Sequence, residues 1–107
     1  MIEVIVVDDE RFVRMGIVGE TDWTSLGCEV VGEAENGLDA LELVHKKNPD
    51  LMICDIRMPK MNGLEMLKKL REEKNPVQVI FLTAYSEFSY AREALKLYAF
   101  DYLLLSF

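Results

Sequence analysis

Residues 51–82 read LMICDIRMPKMNGLEMLKKLREEKNPVQVIFL, and this stretch decides the fold. Leu51 to Cys54 is fully apolar, as a strand buried on both faces must be. A loop containing Pro59 and Gly63 follows. Leu64, Leu67 and Leu70 then recur at the spacing of one helix face. Asn75-Pro76 ends that helix, because proline has no N–H to continue the ladder. Val77 to Leu82 is a second apolar strand. Two buried strands joined by one helix imply a parallel pair with a crossover.

The same alternation extends both ways. Ile2 to Val7 reads as a first strand and Arg11 to Glu20 as a helix, with Phe12, Met15 and Val18 as its apolar stripe. Gly16 weakens that helix. A polar loop, Thr21 to Gly27, leads to a strand from Cys28 to Glu35. Asn36-Gly37 is a turn signal before a helix carrying Leu38, Leu41 and Val44, which Asn48-Pro49-Asp50 ends. Beyond Leu82, the pattern predicts a fourth helix over Ser86–Leu97 and a fifth strand over Phe100–Leu105. The order βαβαβαβαβ predicts an α/β fold, a doubly wound parallel five-stranded sheet of flavodoxin-like order 2-1-3-4-5. A helix after the fifth strand would complete the cover, and none follows Leu105-Ser106-Phe107. Part of one sheet face is therefore expected to lie bare and to favour association.

The 107 residues make one domain, 1–107, with no room for an output domain. Half the residues are apolar and 29% are charged, a profile that excludes a disordered chain. No apolar run reaches the roughly 18 residues of a membrane helix. The N-terminus carries acids where a signal peptide carries bases, so a cytoplasmic location is expected. The net charge of −7 argues against direct contact with nucleic acid, which needs clustered Lys and Arg. Cys28 opens its strand and Cys54 closes another, so they belong at opposite ends of the sheet.

Ligand sites in such sheets form at the carboxyl ends of the strands, at the switch point. Strand one ends in Asp8-Asp9 and strand three in Asp55, so these acids are expected to converge there. Clustered carboxylates repel one another unless a cation or protons intervene, and Mg²⁺ takes carboxylates, waters and a phosphate oxygen. The main-chain carbonyl of Arg57 is placed to add a ligand. A carboxylate beside such a cation can act as a nucleophile and form an aspartyl phosphate. Thr83, after strand four, is expected at the same edge to donate to a phosphoryl oxygen. Singly, each residue has a plainer reading: Asp8 or Asp9 as a helix cap, Asp55 as a loop acid, Thr83 as a turn residue. Their conjunction carries the functional one. His45 reads as a solvated helix residue and Trp23 as a loop anchor.

The segments IVVDDE, LMICDIRMPKMNGLEML, FLTAYSEFSYAREALKL and FDYLLL resemble the receiver domain of two-component response regulators nearly end to end. The stretch TDWTSLGCEVVGEAENGLDAL resembles the subgroup whose receivers precede an AraC-type helix-turn-helix output. The resemblance implies Asp55 as phosphoacceptor, with Mg²⁺ held by Asp8, Asp9, Asp55 and the Arg57 carbonyl. It implies Thr83 as the switch hydroxyl, Tyr102 as the aromatic that follows it, and a sensor histidine kinase as phosphodonor. It also implies a homo-oligomer through the face of the fourth helix and fifth strand. Such a domain is a regulator, and its only chemistry is its own phosphorylation and dephosphorylation.

The sequence departs from the family in three places. Leu105-Ser106 stands where members carry Lys-Pro, the fifth helix is missing, and Tyr98 replaces a usual glycine. The lysine normally pairs with the phosphoryl group, and Lys60 or Arg57 is the nearest substitute in sequence. These departures motivate an alternative: a pseudo-receiver that binds or dimerises without phosphorylation. A small flavodoxin-like enzyme or phosphatase is a third reading, and no further substrate-pocket residue supports it.

Overall fold

The computed structural model describes residues 1–83 and 101–104. The elements run β1 (Ile2–Val7), α1 (Arg11–Glu20), β2 (Cys28–Ala34), α2 (Gly37–Lys47), β3 (Leu51–Cys54), α3 (Gly63–Glu72), β4 (Gln78–Thr83) and β5 (Asp101–Leu104). The five strands form one sheet in the order β2-β1-β3-β4-β5, with every pairing parallel, as the sequence predicts. Small shifts separate expectation from structure at the strand ends. β2 stops at Ala34 rather than Glu35, β4 begins at Gln78 and includes Thr83, and β5 is described over Asp101–Leu104, with the expected ends Phe100 and Leu105 outside the described residues. Val77 falls outside β4 because its N–H is taken by the Asn75 side chain at 3.0 Å. The predicted fourth helix over Ser86–Leu97, with Tyr98, lies outside the described residues, as do Leu105 and Ser106.

The period of two along each strand divides the core. Ile5, Val7, Met52, Cys54, Val79 and Phe81 face α2 and α3, and are almost wholly buried. Leu64, Met66, Leu67 and Leu70 of α3 close over them, as the leucine spacing foretells. The opposite face carries Val4, Val6 and Ile53, packed by Ile17 and Val18 of α1 and by Trp23. Trp23 is the expected loop anchor: its Nε1 donates to the Val18 carbonyl at 3.2 Å.

Two helix stripes differ in part from the sequence reading, although Val18, Leu41 and Val44 face the core as expected. Phe12 and Met15 point away from the sheet, at 84% and 51% exposure, whereas Ile17 and Val18 face inward. In α2, Leu38 is exposed and Ala40 and Val44 are buried. Three-residue spacing identifies a stripe, but on a short helix it does not say which stripe meets the sheet. His45 is half-exposed as expected, and its Nε2 lies 2.8 Å from Glu73 Oε1 at the end of α3. Cys28 pairs with Ile2 and Cys54 with Val7, at opposite ends of β1, and both thiols are free. No helix among the described residues is long and apolar enough to cross a membrane.

Candidate functional site

The ladders on either side of β1 continue one residue past its end. The Asp55 N–H donates to the Val7 carbonyl at 2.9 Å, and the Asp8 N–H to the Ala34 carbonyl at 3.1 Å. Asp8 and Asp55 are thereby set side by side where the chain leaves the sheet. Asp9 follows directly, and the carboxylates of Asp8, Asp9 and Asp55 offer ligand atoms all within 4.8 Å of one another. The sequence expectation for these acids is met in space. β4 runs two residues past the Phe81 that pairs with Cys54, which brings the Thr83 backbone to the same edge. Tyr102 pairs through its backbone with Phe81 on β5. The side chains of Thr83 and Tyr102 lie outside the described residues.

Each acid is held differently. Asp8 is 4% exposed, and its Oδ1 accepts the Glu10 N–H at 2.8 Å. Burial pushes its pKa up from 3.8 to about 6; the Glu10 N–H opposes this, and the charges of Asp55, Asp9 and Glu10 add to it. Neither Asp8 nor Asp9 caps α1, whose N-cap is Glu10 and lacks a side-chain cap bond. Asp55 is half-buried, and its Oδ1 accepts the Ile56 N–H at 2.7 Å. Asp9 is exposed.

The loop after Asp55 is tightly folded. Gly63 donates its N–H to the Ile56 carbonyl at 2.8 Å, and a Cβ there would collide with the Asp55 carbonyl oxygen. Asn62 and Glu65 form a reciprocal capping box at the start of α3, with bonds of 2.8 and 3.1 Å. The Gly37 N–H donates to the Met61 carbonyl at 2.9 Å, tying the start of α2 to this loop. Arg57 sits in it with an exposed side chain.

Three carboxylates at one edge are an all-oxygen donor set with a strong need for positive charge. Two oxygens on one octahedral Mg²⁺ lie at most about 4.2 Å apart, so a modest closure of the cluster suits that ion. The raised pKa of Asp8 is the electrostatic mark of the same need.

Arg14 enters the site without notice from the sequence. Its Nη1 donates to the main-chain oxygen of Asp8 at 2.6 Å, and its Nε to Glu33 Oε1 at 3.1 Å. The readable signal was an arginine in α1, six residues after Asp8, with an acid late in β2.

The sequence profile described as the response regulator receiver domain matches residues 4–106. The chain belongs to that family. This receiver is 41% identical over 104 residues to the uncharacterized transcriptional regulatory protein YesN of Bacillus subtilis, covering 97% of the chain and 28% of YesN. It is 43% identical over 108 residues to the transcriptional regulatory protein BtsR of Salmonella typhimurium, covering 97% of the chain and 42% of BtsR. The chain thus spans less than half the length of these relatives. Among solved structures, the receiver domain of AraT, a response regulator from Geobacillus stearothermophilus, superposes with a TM-score of 0.87 at 44% identity. That match covers 97% of this receiver and 81% of the AraT chain. Membership makes the chain a regulatory domain of a two-component system.

Proposed function

We propose that this receiver takes a phosphoryl group from the phosphohistidine of a sensor kinase onto Asp55. The convergence of Asp8, Asp9 and Asp55 carries the reading. Asp8, Asp9, Asp55 and the Arg57 carbonyl would hold Mg²⁺, which supplies positive charge to the phosphoryl oxygens during transfer. An Asp55 carboxylate oxygen attacks phosphorus, the P–N bond breaks, and the histidine departs as the leaving group. Water later cleaves the acyl phosphate and releases inorganic phosphate. Held by the Ile56 N–H, the Asp55 carboxylate is oriented before the donor arrives. Thr83 donates its hydroxyl to a phosphoryl oxygen, and Tyr102 changes rotamer with it. The consequence is a changed association through the fourth helix and β5, read in the cytoplasm as control of transcription by an AraC-type output. The names of YesN and BtsR as transcriptional regulators support that last step.

Intact mass spectrometry after incubation with acetyl phosphate tests this. One added phosphoryl group is expected with Mg²⁺, none without it, and none in Asp55→Asn. The sequence favours a second reading at one position, because Leu105 stands where the family carries lysine. A wild type that stays unmodified while Leu105→Lys gains the group would establish the pseudo-receiver instead.

A further inference from the structure

We propose that Arg14 is a positioning residue for the acidic pocket, acting through the peptide that joins Asp8 to Asp9. This rests on the Mg²⁺-dependent reading above. The Arg14 side chain is only 16% exposed, so the charge it carries inward must be compensated. One compensation is Glu33 on β2, 3.1 Å from Nε. The other is the main-chain oxygen of Asp8, 2.6 Å from Nη1. That oxygen belongs to the peptide linking the two acids that leave β1. A peptide unit is planar, so fixing its oxygen fixes the direction in which Asp9 departs. The Glu10 N–H fixes the Asp8 carboxylate from the other side at 2.8 Å. Arg14 thereby ties α1, the end of β1 and the end of β2 into one corner, and the acids project from that corner.

Two effects of Arg14 on a cation oppose each other. Its positive charge near the acids repels the ion. Its bond to the Asp8–Asp9 peptide holds the ligands in place, so that binding need not order them. Orienting partners of metal ligands typically change affinity by about 10- to 100-fold. The paired Glu33 draws part of the guanidinium charge away from the pocket, which leaves positioning as the larger effect.

The test is the Mg²⁺ dissociation constant of the 107-residue chain, measured by competition with Mn²⁺ in electron paramagnetic resonance. The metal-free melting temperature is recorded alongside, and binding is measured well below it. Arg14→Ala is expected to weaken Mg²⁺ by about tenfold or more. Arg14→Lys keeps the charge without the two-pronged fork and is expected to fall between. Because Arg14→Lys keeps the positive charge, weaker binding in that variant reports position rather than charge, which covers the case in which Arg14→Ala does not fold. A purely electrostatic Arg14 would make Arg14→Ala bind Mg²⁺ more tightly. A merely structural one would lower the melting temperature and leave the dissociation constants of all folded variants at the wild-type value. Either result overturns the proposal. If wild type binds Mg²⁺ and is phosphorylated while the variants bind equally well, only this inference fails. If wild type binds no Mg²⁺, the functional reading fails and takes this one with it.

Discussion

Asp8 concentrates the electrostatic problem of the site in one carboxyl group. Burial and its acidic neighbours raise its pKa from 3.8 to about 6, so the folded chain binds a proton there more readily than the unfolded chain does. Stability changes with pH in proportion to protons bound unfolded minus protons bound folded. Across the window from 3.8 to about 6 that difference is negative at Asp8, so its contribution falls as pH rises. Above the window the penalty is complete. Urea titrations of the metal-free protein should show Asp8→Asn more stable than wild type by about 3 kcal/mol near neutral pH, with the gap closing toward pH 4. The asparagine keeps an oxygen to accept the Glu10 N–H, so charge alone is altered. Saturating Mg²⁺ should reverse the order, because ligand binding stabilises only the chain that binds it. A gap independent of pH would remove the account in which burial, and after it the acidic neighbours, penalise the ionised carboxylate. The pairing of these acids was legible because a residue directly after a buried strand has a fixed address. Arg14 was not legible in that way. Its role depends on the crossing of α1 over the ends of β1 and β2, which no local pattern encodes.

At the scale of elements, the loop between Asp55 and α3 shows how backbone contact constrains sequence. Gly63 begins α3 with its α-carbon against the Asp55 carbonyl, and Phe81 Cε1 would lie 2.9 Å from a Cβ there. Neither neighbour can yield without moving the acid or the core. Gly63→Ala should therefore destabilise the fold by about 2 kcal/mol and weaken Mg²⁺ binding together. Gly16 and Gly19 in α1 face open space, with nothing within 4 Å of where a Cβ would stand. Alanine at either site should stabilise by about 0.5–1 kcal/mol, the ordinary helix preference, and leave the metal site unchanged. Thermal melts of the three variants, each with and without Mg²⁺, separate the two kinds of glycine. Gly63 was visible in the sequence only as a loop residue; what it abuts is a tertiary fact. The α1 and α2 stripes illustrate the same limit. Val18, Leu41 and Val44 face the core as their spacing predicts, yet Phe12, Met15 and Leu38 of the same stripes are exposed, and Ile17 and Ala40 pack inward instead. Helices of ten and eleven residues carry two candidate stripes, and the sheet selects between them.

Across the whole molecule, the sheet order was readable because continuous apolar strands separated by helices leave few parallel topologies. The unequal depth of the two faces along β4 was less so. Beneath α2 and α3, Met52, Val79 and Phe81 are fully buried, while Leu51, Ile80 and Leu82 on the α1 face are partly exposed. Adjacent residues of β4 thus differ in what they contribute, although the sequence Val79-Ile80-Phe81-Leu82 is uniformly apolar. Phe81→Ala should cost about 3–5 kcal/mol, because a rigid core cannot collapse around the lost ring. Ile80→Ala should cost about 1–2 kcal/mol, since only part of its side chain leaves water on folding. The functional consequence should be equally unequal. Phe81 abuts Gly63, which abuts the Asp55 carbonyl, so loss of the ring loosens the support beneath the phosphoacceptor. Ile80 has no such route among the described residues. Phosphorylation by acetyl phosphate, measured well below each melting temperature, should slow in Phe81→Ala and stay near wild type in Ile80→Ala. Equal slowing in both would mean that the site responds to global stability rather than to this chain of contacts.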